Sequence, residues 1–178
     1  MSNVIIKKGH HYSNEWPLSL WFCKQNKQIA KQVTFTSSCR YFIGEDQTDK
    51  NKLFGWSYGF HHKNSVRVGW FFNYQTSKIE VCLYVYTSGV LSKSKTIECE
   101  INTPYNITLC SDINGYNINY TLNVQKVQFL NEASNMESVS YKALAKLPRW
   151  GYKLTAYFGG NRTAPHDINI EYADIINK

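Results

Sequence analysis

The sequence predicts an all-β protein, an antiparallel two-sheet sandwich or jelly roll, and three observations carry that prediction. Apolar residues alternate with period two in many short segments. Glycine, asparagine and proline signals punctuate the chain between them, roughly every 10 to 14 residues. Aromatic residues make up 15% of the chain while charged residues make up only 19%, a balance that suits pleated, half-buried surfaces. At 178 residues, with no linker, low-complexity tract or internal repeat, residues 1–178 read as one domain with one core.

The strongest element is the hairpin over Tyr105–Val124. Ile107 and Leu109 alternate with polar residues, Ser111 to Gly115 supplies the turn, and Tyr116, Ile118, Tyr120, Leu122 and Val124 then alternate with Asn117, Asn119, Thr121 and Asn123. In Lys78–Tyr86 one face holds Ile79, Val81, Leu83 and Val85, and the other Glu80, Cys82, Tyr84 and Tyr86. In Ser65–Phe72 the set Val66, Val68, Trp70 and Phe72 opposes Ser65, Arg67, Gly69 and Phe71, and the two segments read as a hairpin. Toward the C-terminus Tyr152, Leu154, Ala156 and Phe158 alternate with Lys153, Thr155 and Tyr157, and Ile168, Ile170 and Tyr172 with Asp167, Asn169 and Glu171. Shorter strands are expected near Val4–Lys7, Leu18–Phe22, Val33–Thr36, Tyr41–Ile43, Leu53–Phe60 and Thr96–Ile101. Ala133–Leu147 lacks evident alternation and reads as a helix or a long loop ending at Pro148.

Composition narrows function without naming it. The net charge of +7 favours anionic partners, but the lysines are scattered. The nearest basic run is Lys24-Gln25-Asn26-Lys27-Gln28 with Lys31, so a solubilising surface is favoured over a nucleic-acid stripe. Five cysteines without CxxC spacing argue against a zinc cluster or a closed disulfide framework and read as reduced, buried thiols. Neither a signal peptide nor a membrane span is legible. A cytosolic origin is therefore expected, and the sequons at Asn106, Asn119 and Asn161 read as chance matches.

No cofactor motif is present, and the histidines do not carry metal-binding spacing. His10-His11, His61-His62 and His166-Asp167 have suitable donor types, but neighbouring strand residues point to opposite faces, and polar loop residues explain them equally well. Strand carboxylates occur singly, so a hydrolase pair is not evident; a lyase-like grouping could be built from Tyr84, His62 and Arg67. The stronger expectation is a non-enzymatic binding or assembly module. Tyr84, Tyr86, Phe71 and Tyr157 lie on the faces read as less buried, where sugar rings or a protein partner could stack, unless that face is the core face of the second sheet. The residues expected to bind ligand are His62, Asn64, Arg67, Tyr84, Asn161, Arg162, His166 and Asp167, because the loop from Asn161 to Asp167 carries more polar groups than its turn requires.

The segments HHKNSVRVGW (61–70) and YFGGNRTAPHDI (157–168) resemble those of small, uncharacterised β-sandwich proteins of bacteria and tailed bacteriophages. The resemblance covers the second two thirds of the chain. It implies a concanavalin-like or jelly-roll sandwich and a structural or accessory role in a tailed phage particle, docking to other virion proteins or to host glycans. A free carbohydrate-binding module is the alternative, and a polysaccharide lyase or glycoside hydrolase a weaker one. Self-association stays open.

Overall fold

In a computed structural model of the chain, residues 2–15, 19–22, 26–127 and 135–175 are described, and they form an all-β sandwich of two antiparallel sheets. The strands are β1 (Ser2–Ile6), β2 (Leu20–Phe22), β3 (Lys27–Phe35), β4 (Asn51–Ser57), β5 (Ser65–Asn73), β6 (Lys78–Thr87) and β7 (Val90–Lys93). They continue with β8 (Ile97–Cys99), β9 (Pro104–Asn114), β10 (Asn117–Lys126), β11 (Met136–Leu144), β12 (Trp150–Leu154) and β13 (Ile168–Asp174). One sheet runs β1-β13-β3-β9-β10-β11 and the other β2-β12-β4-β5-β6-β7, with β8 beside β7 on the same edge of β6. No helix among the described residues is long and apolar enough to cross a membrane.

The alternation read from the sequence sets which faces meet. Val66, Val68, Trp70, Ile79, Val81, Leu83 and Val85 are all at most 1% exposed, so these sets of β5 and β6 face the core. From the other sheet, Ile107 and Leu109 of β9, Tyr120 and Leu122 of β10, and Ile168 and Ile170 of β13 are fully buried against them. Phe35 and Trp70 meet across the interface with ring centroids 5.4 Å apart. Polar anchors tie the layers together: the Tyr172 hydroxyl donates to the Leu53 carbonyl at 3.1 Å, and the Tyr58 and Ser111 hydroxyls lie 2.8 Å apart. The outer face of the six-stranded sheet is polar, with Asn106, Thr108, Asn119 and Asn123 on β9 and β10.

Several expectations are corrected by packing. Met136–Leu144 is a strand rather than a helix or loop. Its inward set is Val139, Tyr141 and Ala143, which pack on the core while β11 pairs with β10 along nine residues. Ser138, Ser140 and Lys142 alternate with them on the outward face, and the exposed apolar Met136 and Leu144 at the strand's ends blur the pattern, but an otherwise open edge of β10 is closed this way. The β9–β10 turn is tighter than expected: β9 continues through Asn114, leaving Gly115 and Tyr116 as the loop, with Gly115 at φ +61. Tyr41–Ile43 is not a strand; it follows a short 3-10 turn at Ser37–Cys39, and the Tyr41 ring packs against Trp70 and Phe158. The sequence reading did not contain β7, and β3 begins earlier than expected. Cys39, Cys82, Cys99 and Cys110 are free thiols, the first three buried.

Candidate functional site

Register places a cross-strand row on the outer face of the seven-stranded sheet. Leu154 of β12, Gly55 of β4, Arg67 of β5, Tyr84 of β6 and Lys93 of β7 lie side by side. The next row carries Lys52, Gly69 and Cys82, and Ser65 opposes Tyr86 beyond the Arg67 row. Gly55 and Gly69 place no side chain between their taller neighbours, so the middle of the sheet is a trough. Gly55 is required there: a Cβ would overlap the Val66 carbonyl oxygen and fall 2.7 Å from the Arg67 Cα. A register irregularity between Lys52 and Gly55 accompanies this close approach.

The trough is walled into a groove of about 580 Å3, within the range typical of ligand sites. Its walls are aromatic. Tyr84, Tyr86 and Tyr152 rise from the sheet, Tyr12 and Tyr157 come from flanking segments, and His61 and His62 close one end. Tyr157 pairs with Lys52 through reciprocal backbone hydrogen bonds of 2.8 and 2.9 Å, and the His11 ring stacks on it at 5.1 Å. His62 packs edge-on against Tyr86, which in turn meets Tyr84. These tyrosines are therefore not the core face of the second sheet, since Val66 and its neighbours occupy that face.

The break after β12 corrects the reading of Tyr152 to Phe158 as one alternating strand. Regular structure ends at Leu154, so Tyr152 and Leu154 share the groove face while Ala156 and Phe158 turn into the core. Tyr157 then faces the groove as well. Tyr152 meets His61 there: its oxygen accepts the His61 backbone N–H at 3.3 Å and lies 2.5 Å from the His61 Nδ1.

Burial lowers the His61 pKa to about 4, with Arg67 and His62 adding repulsion, so the imidazole is neutral at pH 7. Burial likewise lowers the Lys52 ammonium to about 8, helped by repulsion from Arg67. Its Nζ lies 4.8 Å from the Tyr84 ring centroid and 5.5 Å from that of Tyr157. Burial pulls the Arg67 guanidinium down, and the phenols of Tyr84, Tyr152, Tyr157 and Tyr86 oppose that pull. Tyr84 and Tyr157 are raised by burial and stay protonated donors.

Chemically, this is a surface of aromatic faces, phenol O–H groups and cations. Its described lining holds no carboxylate, so the paired acids of a glycosidase are not assembled there. Tyr84, His62 and Arg67 do line one groove, and a neutral His61 beside the Tyr152 phenol can exchange a proton with it.

Of the residues singled out in the sequence, His62, Arg67, Tyr84 and Asn161 line the groove. Asn64 is buried, and its Oδ1 accepts the Ser88 N–H at 3.0 Å, which holds the turns beside β5 and β6. Arg162 leaves the groove to pair with Asp46 at 2.9 Å. His166 donates from Nε2 to the Ser38 carbonyl at 2.7 Å. Asp167 is taken by Lys7 Nζ at 2.7 Å and the Lys8 N–H at 2.9 Å. The polar excess of the 161–167 loop thus largely secures the loop to Lys7 and Lys8 just after β1, to Asp46 and to the turn at Ser37–Cys39. Phe71, read as exposed, is covered by Lys50, whose Nζ lies 3.2 Å from the ring centroid. Among the described residues no three histidine, cysteine or acidic side chains group as metal ligands. Part of the basic run, Lys24 and Gln25, lies outside the described residues, while Lys31 pairs with Asp174.

Tyr12, Lys52 and Tyr152, which were not singled out, complete the groove together with His61, which was weighed only as a metal donor. Lys52 offered a signal, as a charge beside the apolar run Leu53–Trp56, and His61 shared its pair with His62. Tyr12 and Tyr152 offered none, because their placement depends on chain returns distant in sequence. No protein-family model matches the chain, and no curated protein matches it.

Proposed function

We propose that the protein is a non-enzymatic carbohydrate-binding sandwich that takes a glycan along the outer face of its seven-stranded sheet. The carrying observation is the tyrosine-walled groove on a sheet face that faces away from the core. Pyranose rings present apolar C–H faces that stack on such aromatics, while ring hydroxyls need donors of the kind that Tyr84, Tyr157 and Asn161 provide. A particle-borne domain of the sort the sequence resemblance implies would touch host glycans through this groove.

A second reading, docking onto another protein subunit, is favoured by a separate observation. Leu20, Phe22 and Phe60 are each more than 60% exposed around the short edge strand β2, and the Phe60 ring packs edge-on against Trp150. One paired experiment separates the two: a glycan array, and native mass determination after mixing with proteins encoded beside this one. The glycan reading expects array signals that disappear in a Tyr84→Ala/Tyr157→Ala variant that retains its fold. A silent array together with a defined complex that dissolves in Phe22→Ser would refute the glycan reading and sustain the docking one.

A further inference from the structure

We infer that the glycan taken by this groove is acidic, its carboxylate or sulfate seated on the Arg67 guanidinium with the Lys52 ammonium beside it; this rests on the glycan-binding reading above. Arg67 is partly buried at the centre of the trough, and among the described residues its side chain has neither an ion pair nor a hydrogen bond. The groups around it are phenols, which cannot neutralise it while protonated.

The contrast within the groove lining, whose cations are Lys52, Arg67 and Lys153, is informative. Lys153 faces the Glu15 carboxylate at 3.8 Å. Arg67 and Lys52 stand together without one. Asp49 is the acid that acts on Lys52, but it abuts Gly160 at the margin and forms no ion pair with Lys52.

A protein that draws an arginine out of water without a counter-charge leaves an electrostatic cost in the empty site. An anion that enters the groove removes it, whereas a neutral sugar dehydrates the guanidinium further and returns only neutral hydrogen bonds. The guanidinium fork also matches planar carboxylate geometry and the oxygens of sulfate. The phenol O–H groups of Tyr84 and Tyr157 are further donors to the same anion, and Lys52 lies over both of their rings, so charge and stacking surface are presented at one place.

The test is titration calorimetry of the full chain against neutral, uronate-containing and sulfated oligosaccharides of matched linkages, with a single-stranded oligonucleotide as a different polyanion. The uronate or the sulfated series is expected to bind at least about tenfold tighter than its neutral counterpart, and which series leads identifies the anion. That advantage, read as the ratio of acidic to neutral affinity, should shrink with added salt and in Lys52→Met, and should fall to about one in Arg67→Ala. Should Arg67→Ala not fold, the salt series and Lys52→Met still decide. Equal or tighter binding of neutral sugars overturns the acidic preference and leaves the glycan reading standing. Binding of no oligosaccharide overturns both, and a preference for the oligonucleotide over every acidic sugar overturns the inference in favour of a nucleic-acid ligand.

Discussion

Replacing Gly55 by Ala tests the groove at its foundation, because the glycine lets β4 pass close to β5 directly behind Arg67. An alanine Cβ would overlap the Val66 carbonyl oxygen and sit 2.7 Å from the Arg67 Cα, where ordinary contact begins at 3.4 Å. The tighter contact, with the Val66 oxygen, sets the requirement, so the backbones must part by about 1.3 Å at this row to reach 3.4 Å. Both contacts are backbone, so no rotamer change relieves them. Overpacking of this kind costs about 1–3 kcal/mol. Strained or broken ladder hydrogen bonds near Trp56 and Val66 add about 0.5–1.5 kcal/mol each. The expected loss is about 3 kcal/mol, which in a domain of this size lowers the melting temperature by about 6–12 °C. Thermal unfolding followed by circular dichroism measures it, and titration with the best oligosaccharide should show weakened binding as Arg67 moves with β5. A variant that melts within about 2 °C of the parent would refute the reasoning, for it would mean that β4 and β5 have room at this row.

Two further outcomes follow from the environments of individual groups. His61 has a folded pKa of about 4 against an ordinary 6.5, so between these values the unfolded chain binds more protons. Its contribution to stability is complete above about pH 6.5 and is lost as pH falls toward 4; denaturant titrations at several pH values should show a smaller loss in His61→Gln than in the parent. Burial raises the thiols of Cys39, Cys82 and Cys99, Cys82 to about 11 and Cys99 to about 12, and all three are buried. Peptide mapping after treatment with an alkylating reagent at neutral pH should find them unmodified in the native protein and modified in denaturant, and rapid native labelling of Cys99 would contradict the packing of β8.

The sequence by itself determined the character of the strands and the faces of the central ones. Side-chain direction alternates with period two, a local property, so Val66, Val68 and Trp70 could be set on one face and Arg67 on the other without knowing any neighbour, whereas which of the two faces meets the core took the packing of the second sheet. The β9–β10 and β5–β6 hairpins were legible for the same reason, since each partner lies a few residues away. Tertiary structure alone decided which strands lie side by side and where a strand breaks. Leu154 reaches Gly55 across a long stretch of chain, and the end of β12 turns Tyr152 and Tyr157 toward one groove although a continuous strand would place them on opposite faces. The same holds for β11, whose weak alternation becomes a strand because β10 offers it an edge and the core accepts Val139 and Tyr141. It holds in reverse for Asp167, a polar loop residue that suggested a ligand and that the fold gives to Lys7. Periodicity is written in neighbouring residues, whereas the choice between solvent, ligand and an internal partner depends on burial and contacts that form only when distant segments pack.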